Sequence, residues 1–159
     1  MKILFLHGAE ARPGGFKPQF LTQHGFDVLN PHLHDESWID SVSIAQNAFD
    51  LGQPSVVVGS SRGAAVAMAI DSGDARLVLI APAWRFYGID PVVKLTTTIL
   101  HSPDDELISV NDSRLLVERN GLPAGVLREV GTSHRMNDED ARAALLLAVQ
   151  GPIHIAEGT

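Results

Sequence analysis

Three polar groups, far apart along the chain, have the types and order needed for acyl-transfer chemistry. The first is Ser61, at the centre of Gly59-Ser60-Ser61-Arg62-Gly63. It follows the β-branched run Val56-Val57-Val58 and precedes the small apolar run Ala64 to Ile70. That order reads as strand, sharp turn, helix. A serine on such a turn has a strained backbone with φ > 0, and side chains two residues away on either side would collide. Both of those positions are glycine, Gly59 and Gly63. The helix that opens at Arg62 aims backbone N–H groups at the serine oxygen, where an oxyanion would form. The competing reading is a Gly/Ser-rich turn or phosphate cradle of the flavodoxin-like kind.

A serine hydroxyl is a poor nucleophile without a base, and the base needs a carboxylate to orient it. Two later segments supply both. Leu100-His101-Ser102-Pro103-Asp104-Asp105-Glu106-Leu107-Ile108 offers three acids, and Val130-Gly131-Thr132-Ser133-His134 ends in a base. His154 is a rival base in the tail after the last helix. A different chemistry is conceivable in Pro31-His32-Leu33-His34-Asp35-Glu36. On an extended backbone His32 and His34 face one side, as two zinc ligands could, with Asp35 or Glu36 as a third. A polar strand-end loop is the far commoner meaning of such a run, and no metal is expected.

The elements that must position these groups follow from hydrophobic pattern. Short apolar runs predict strands at Lys2–Leu6, Phe26–Asn30, Ser55–Val58, Arg76–Ile80, Thr96–Leu100 and Val126–Val130. Several are apolar on both faces, as a parallel sheet covered by helices requires. Helical patterns lie between them at Phe16–His24, Ser37–Asp50, Arg62–Ser72, Asn111–Asn120 and Asp138–Gln150. Gly73 is placed to cap the third, and Asn137-Asp138-Glu139-Asp140 supplies an N-cap and an acidic first turn for the last. The alternation predicts a doubly wound α/β fold, about six mostly parallel strands with helices on both faces. Every candidate group falls at the carboxyl end of a strand, where such sheets bind ligands.

Composition bounds the rest. A chain of 159 residues, 45% hydrophobic, forms one domain over residues 1–150, with 151–159 as a C-terminal tail. A formal net charge of −7 without any basic run sets nucleic acid aside as a partner. The absence of cysteine removes disulfides, thiolate nucleophiles and thiolate metal sites. No apolar run approaches the ~20 residues of a membrane span. The chain enters a strand at Lys2 with no apolar leader or small-residue cleavage site, so a cytoplasmic protein is expected.

Taken together, these segments resemble the α/β-hydrolase superfamily, in particular its small lidless serine hydrolases, from Ile3 to about Val149. His7-Gly8 after the first strand is similar to the family's oxyanion loop. The turn around Ser61 matches its nucleophile elbow. His101 to Ile108 resembles its pattern of an acid four residues past a small or His strand-end residue. The resemblance implies a minimal form of the fold without the first two strands. It implies Ser61 as nucleophile, Asp105 rather than Asp104 as acid, His134 as base, and the backbone N–H groups of Ala9 and Arg62 as oxyanion donors. His7 would hold the oxyanion loop, and His101 would be a satisfied strand-end residue. Pro82-Ala83-Trp84-Arg85-Phe86-Tyr87 stands about where relatives insert a lid. There Trp84 would wall an acyl pocket, or the aromatics would simply pack the sheet end. The implied activity is hydrolysis of small to medium carboxylic esters or thioesters through an acyl-enzyme, with a small-molecule substrate and no cofactor. A non-catalytic binding module that kept the scaffold is the alternative.

Overall fold

The computed structural model of the protein describes residues 1–89 and 93–151. Six strands form one sheet: β1 (Lys2–Leu6), β2 (Asp27–Leu29), β3 (Val56–Ser60), β4 (Arg76–Ile80), β5 (Thr97–His101) and β6 (Leu127–Glu129). Five α-helices accompany them among the described residues: α1 (Phe16–Gln23), α2 (Trp38–Gly52), α3 (Arg62–Ala69), α4 (Val110–Arg119) and α5 (Glu139–Gln150). The strand order is β2-β1-β3-β4-β5-β6, and every pair is parallel.

Strand periodicity sorts the core into two layers. Leu4, Leu6, Val57, Leu77, Leu79 and Ile99 face one side, packed with Ala45 of α2, Val66 of α3 and Leu116 of α4. Ile3, Phe5, Val56, Val58, Val78 and Ile80 face the other, packed with Leu21 of α1 and Leu145 of α5. Burial on both faces explains why these strands read as unbroken apolar runs. Arg76 fastens one layer to the sheet by donating to the carbonyls of Ala148 and Val149, at 2.9 and 2.6 Å, near the end of α5. No described helix is long and apolar enough to cross a membrane.

Three details differ from the sequence reading. β3 runs on through Ser60, because Gly59 and Ser60 still pair with Leu79 and Ile80 of β4. α3 stops at Ala69, so Gly73 is not its cap. Ile70 turns extended and is buried in the core, while the Asp71 side chain accepts the Gly73 N–H at 3.1 Å and builds a separate turn. The edge strands β2 and β6 keep only three residues each. Residues 152–159 of the expected tail, His154 among them, lie outside the described residues.

The sheet's topological switch lies between β1 and β3, since the chain winds outward from there in both directions. His7 follows β1 and Ser61 follows β3, so both stand at the crevice this fold opens for ligands.

Candidate active site

Ser61 adopts φ 56° and ψ −113°, a conformation an L-residue holds only under constraint. The constraint is a set of main-chain bonds. Its N–H donates to Ile80 O at 2.8 Å, and its carbonyl accepts from the N–H groups of Ala64, Ala65 and Ala83. The flanking glycines are needed for space against neighbouring backbone, not to keep two side chains apart. A Cβ on Gly59 would stand 2.5 Å from Gly63 O, and one on Gly63 would stand 2.0 Å from Leu6 O. α3 can therefore start directly behind the nucleophile and against the end of β1.

His134 arrives from the loop after β6. Its Nε2 lies 3.1 Å from Ser61 Oγ and its Nδ1 lies 2.7 Å from Asp105 Oδ2. A carboxylate only accepts, so Nδ1 carries the proton and Nε2 is left to accept from the serine hydroxyl. The loop is pinned from outside. Lys17 Nζ donates to Arg135 O and Asn137 Oδ1, and Ser102 Oγ donates to Gly131 O. Burial lowers the Lys17 pKa to about 8.

Asp105 is completely covered at its side chain. Its Oδ1 accepts the N–H groups of Leu107 and Ile108, both at 2.8 Å. Its Oδ2 accepts from His134 and also from His101 Nε2, at 3.1 Å. Burial works to raise the Asp105 pKa, but the donors from Ile108, His134 and Leu107 outweigh it and hold the carboxyl below its ordinary value. Asp104 takes no part in this line. Glu106, the third acid of that loop, accepts the His134 backbone N–H at 3.2 Å.

The loop after β1 is held by His7, which is 3% exposed. Leu33 N–H donates to its Nε2 at 2.9 Å, so the ring proton sits on Nδ1 and is donated to Gly8 O at 2.8 Å. Gly8 then lies flat against the nucleophile, where a Cβ would stand 3.5 Å from Ser61 Cβ. The next residue is Ala9. Beyond it, Glu10 holds φ 61° and donates its N–H to Asp35 Oδ2 at 2.6 Å. Among the described residues, neither Ala9 nor Arg62 donates its backbone N–H in any turn, loop or cap bond.

The Arg62 side chain is buried at 2% exposure. Its guanidinium lies 5.6 Å from the ring centres of both Trp38 and Tyr87 and donates to His34 O at 3.2 Å. Trp38 and Tyr87 stack at 5.3 Å. Trp84 does not wall an open pocket. It is 3% exposed within the core, and its indole N–H donates to Asp112 O at 3.1 Å, tying the segment after β4 to α4. Apolar surface in that segment is presented by Phe86, which is 79% exposed.

The His32 and His34 rings stack on each other at 5.2 Å, and the Asp35 carboxylate is taken up by Glu10. Among the described residues no group of three His, Asp or Glu side chains could hold a metal ion. A cavity of about 760 Å³ opens beside Arg76, Thr96, Thr98 and Val126, at the opposite end of the strands from Ser61. A smaller one of about 120 Å³ adjoins the loop after β1, lined by Gly8, Ser60, Arg12, Lys17, Phe16 and Asn137.

No family model matches this chain, and no curated protein does. Solved structures do. Alpha/beta hydrolase domain-containing protein 10 from mouse superposes with a TM-score of 0.69 at 14% identity, over 94% of this chain and 88% of that one. Est1E from Butyrivibrio proteoclasticus gives 0.68 at 12% identity, over 94% and 88%. The esterase domain from a Rhodothermus marinus protein gives 0.64 at 15%, over 94% and 85%. At such identities the likeness is one of architecture, and with the all-parallel six-stranded sheet it shows that this chain has the α/β-hydrolase fold.

Proposed function

We propose that the chain is a serine hydrolase that cleaves small to medium carboxylic esters or thioesters through an acyl-enzyme. One observation carries this reading: the unbroken line from Ser61 Oγ through His134 to Asp105 Oδ2, at 3.1 and 2.7 Å. Two of the three solved neighbours named above are called a hydrolase domain protein and an esterase domain, which supports the same class.

In this mechanism Ser61 Oγ attacks the substrate carbonyl carbon while its proton passes to His134 Nε2. The carbonyl oxygen becomes an oxyanion, held by the N–H groups of Ala9 and Arg62. Such a donor is worth about 3 kcal/mol of transition-state stabilisation. Collapse breaks the bond to the alcohol or thiol, which leaves with the proton from His134. The acyl group stays on Ser61. Water then gives a proton to His134, attacks the acyl carbon, and Ser61 departs with that proton. Asp105 keeps the Nδ1 proton in place and balances the imidazolium without taking the proton itself.

The test is covalent. A fluorophosphonate should label the wild type at Ser61, label neither Ser61→Ala nor His134→Ala, and compete with a p-nitrophenyl acyl ester that the wild type turns over. An unlabelled, inactive wild type would point to a binding module on a hydrolase scaffold.

A further inference from the structure

The acid of this site serves two imidazoles. His101 ends β5, is 0% exposed, and has partners on both ring nitrogens. Its Nε2 faces Asp105 Oδ2 at 3.1 Å and Ile108 O at 3.0 Å. Neither oxygen can donate, so Nε2 carries a proton shared between them. Its Nδ1 faces Ser113 Oγ at 2.7 Å. Burial pushes the imidazole below its ordinary pKa, against the opposing pull of Ile108 O and Asp105, which keeps the ring neutral. Ser113, itself fully buried on α4, therefore donates its hydroxyl proton to Nδ1 and sets the tautomer.

The consequence lies in which oxygen is used. Asp105 Oδ1 is saturated by two backbone N–H groups. The charge offered to His134 comes from Oδ2, and His101 draws on that same atom. We propose that His101 is a positioning residue of the triad: its Nε2–H fixes Asp105 Oδ2 in line with His134 and withholds part of that oxygen's charge from the base. The proposal rests on Asp105 being the acid of the reaction proposed above. Two further titratable groups border the pair. Glu106 accepts the His134 N–H, and Glu129 of β6 is paired with Arg114 of α4.

Two amide substitutions separate the two sides of the ring. In His101→Asn the short amide reaches the Nδ1 position and can still accept from Ser113, but the donor to Asp105 is gone. In His101→Gln the longer amide places an N–H where Nε2 stood. Freed of a competing donor, Asp105 binds the His134 imidazolium more tightly. Without that donor Oδ2 is also no longer held in line with His134, so His101→Asn should lower kcat on p-nitrophenyl butyrate about 10- to 100-fold with KM unchanged. It should also move the midpoint of the His134 imidazole titration, followed by NMR on the substrate-free protein, upward by about half a pH unit or more. His101→Gln should lie close to wild type in both. A His101→Asn protein like wild type in both readouts, or a His101→Gln protein equally impaired, would overturn the proposal. The wild type gives a further reading that needs no variant to fold. Long-range ¹⁵N correlations should find His101 as the Nε2–H tautomer, and an Nδ1–H tautomer would refute the donation to Asp105. Tautomer and titration are read without turnover, so they remain decisive if the protein proves not to be an esterase.

Discussion

Glu106 Oε2 accepts the backbone N–H of His134 at 3.2 Å, so the loop that carries the acid also grips the main chain of the base. One loop thereby sets both the ring and the backbone of His134. Glu106→Ala should lower kcat about 2- to 10-fold, the net worth of one such bond, and shift the melting point little because Glu106 is exposed. Glu106→Gln keeps an acceptor and should recover most of the loss. Steady-state kinetics beside thermal melts would check this, and an unchanged kcat in Glu106→Ala would make the contact incidental.

Ser61 holds a strained backbone, with φ 56° and ψ −113°. Ser61→Ala should remove turnover, whereas Ser60→Ala should keep it. Ser61→Gly should be inactive yet more stable than Ser61→Ala by about 1 kcal/mol, because glycine accepts a φ of 56° without strain. Urea unfolding of the two variants measures this difference. Equal midpoints would mean that the elbow stores no strain.

The two neighbouring aspartates should behave very differently. Asp105→Asn should cut kcat by about 10⁴, since an amide cannot hold the productive His134 tautomer. Asp104→Asn should stay within a few-fold of wild type. The reverse ranking in a single kinetic comparison would reassign the acid.

Stability should fall as the solution is acidified, in two stages. His101 is held below its ordinary pKa by burial, so below about pH 6.5 the unfolded chain takes up a proton that the folded chain refuses. Stability present above that pH is then lost as pH falls toward the folded value. Asp105 is also held low, and its contribution, present above about pH 4, is lost as pH drops through its folded value. Denaturant titrations from pH 8 to about pH 2 should give an unfolding free energy that declines in both windows. His101→Gln should abolish the first stage, and a first stage that persisted in that variant would have to arise elsewhere.

Gly63 tolerates no side chain. A methyl group there would stand 2.0 Å from Leu6 O, which is backbone at the centre of the sheet and cannot yield. Gly63→Ala should destabilise by about 3 kcal/mol or more, read as a lowered unfolding midpoint or loss of soluble protein. Gly125→Ala, with nothing within 4 Å, is the matched control and should fold normally.

Much of the fold was legible because both layers of the core are written into alternate residues of the same strands. Ile3 and Phe5 face one side, Leu4 and Leu6 the other, and one short run specifies both. Ser61 was legible because a strand, two glycines and a helix are contiguous. The contacts that complete the site were not. Glu106 to His134, Lys17 to Arg135 and His101 to Ser113 join residues 28, 118 and 12 positions apart, and no local pattern announces them. The end of α3 was misread because Ile70 is drawn into the core, a tertiary effect that overrides a nearby glycine. Trp84 was ambiguous because an aromatic in a short connection packs inward or lines a cleft with the same sequence, and here the Asp112 carbonyl draws it inward.

The order of the site along the chain divides it in two. Ser61 and the N–H groups of Ala9 and Arg62 all precede Ile89, while Asp105 and His134 both follow Val93. Opening the chain between those points would yield one fragment with a nucleophile but no base, and another with a base but nothing to activate. Rejoining the two along the β4–β5 seam, where Leu77 to Ile80 pair with Thr97 to Leu100, would bring His134 back to Ser61. Labelling of that serine would then report the meeting of two fragments, making the molecule a sensor of proximity between any partners fused to them.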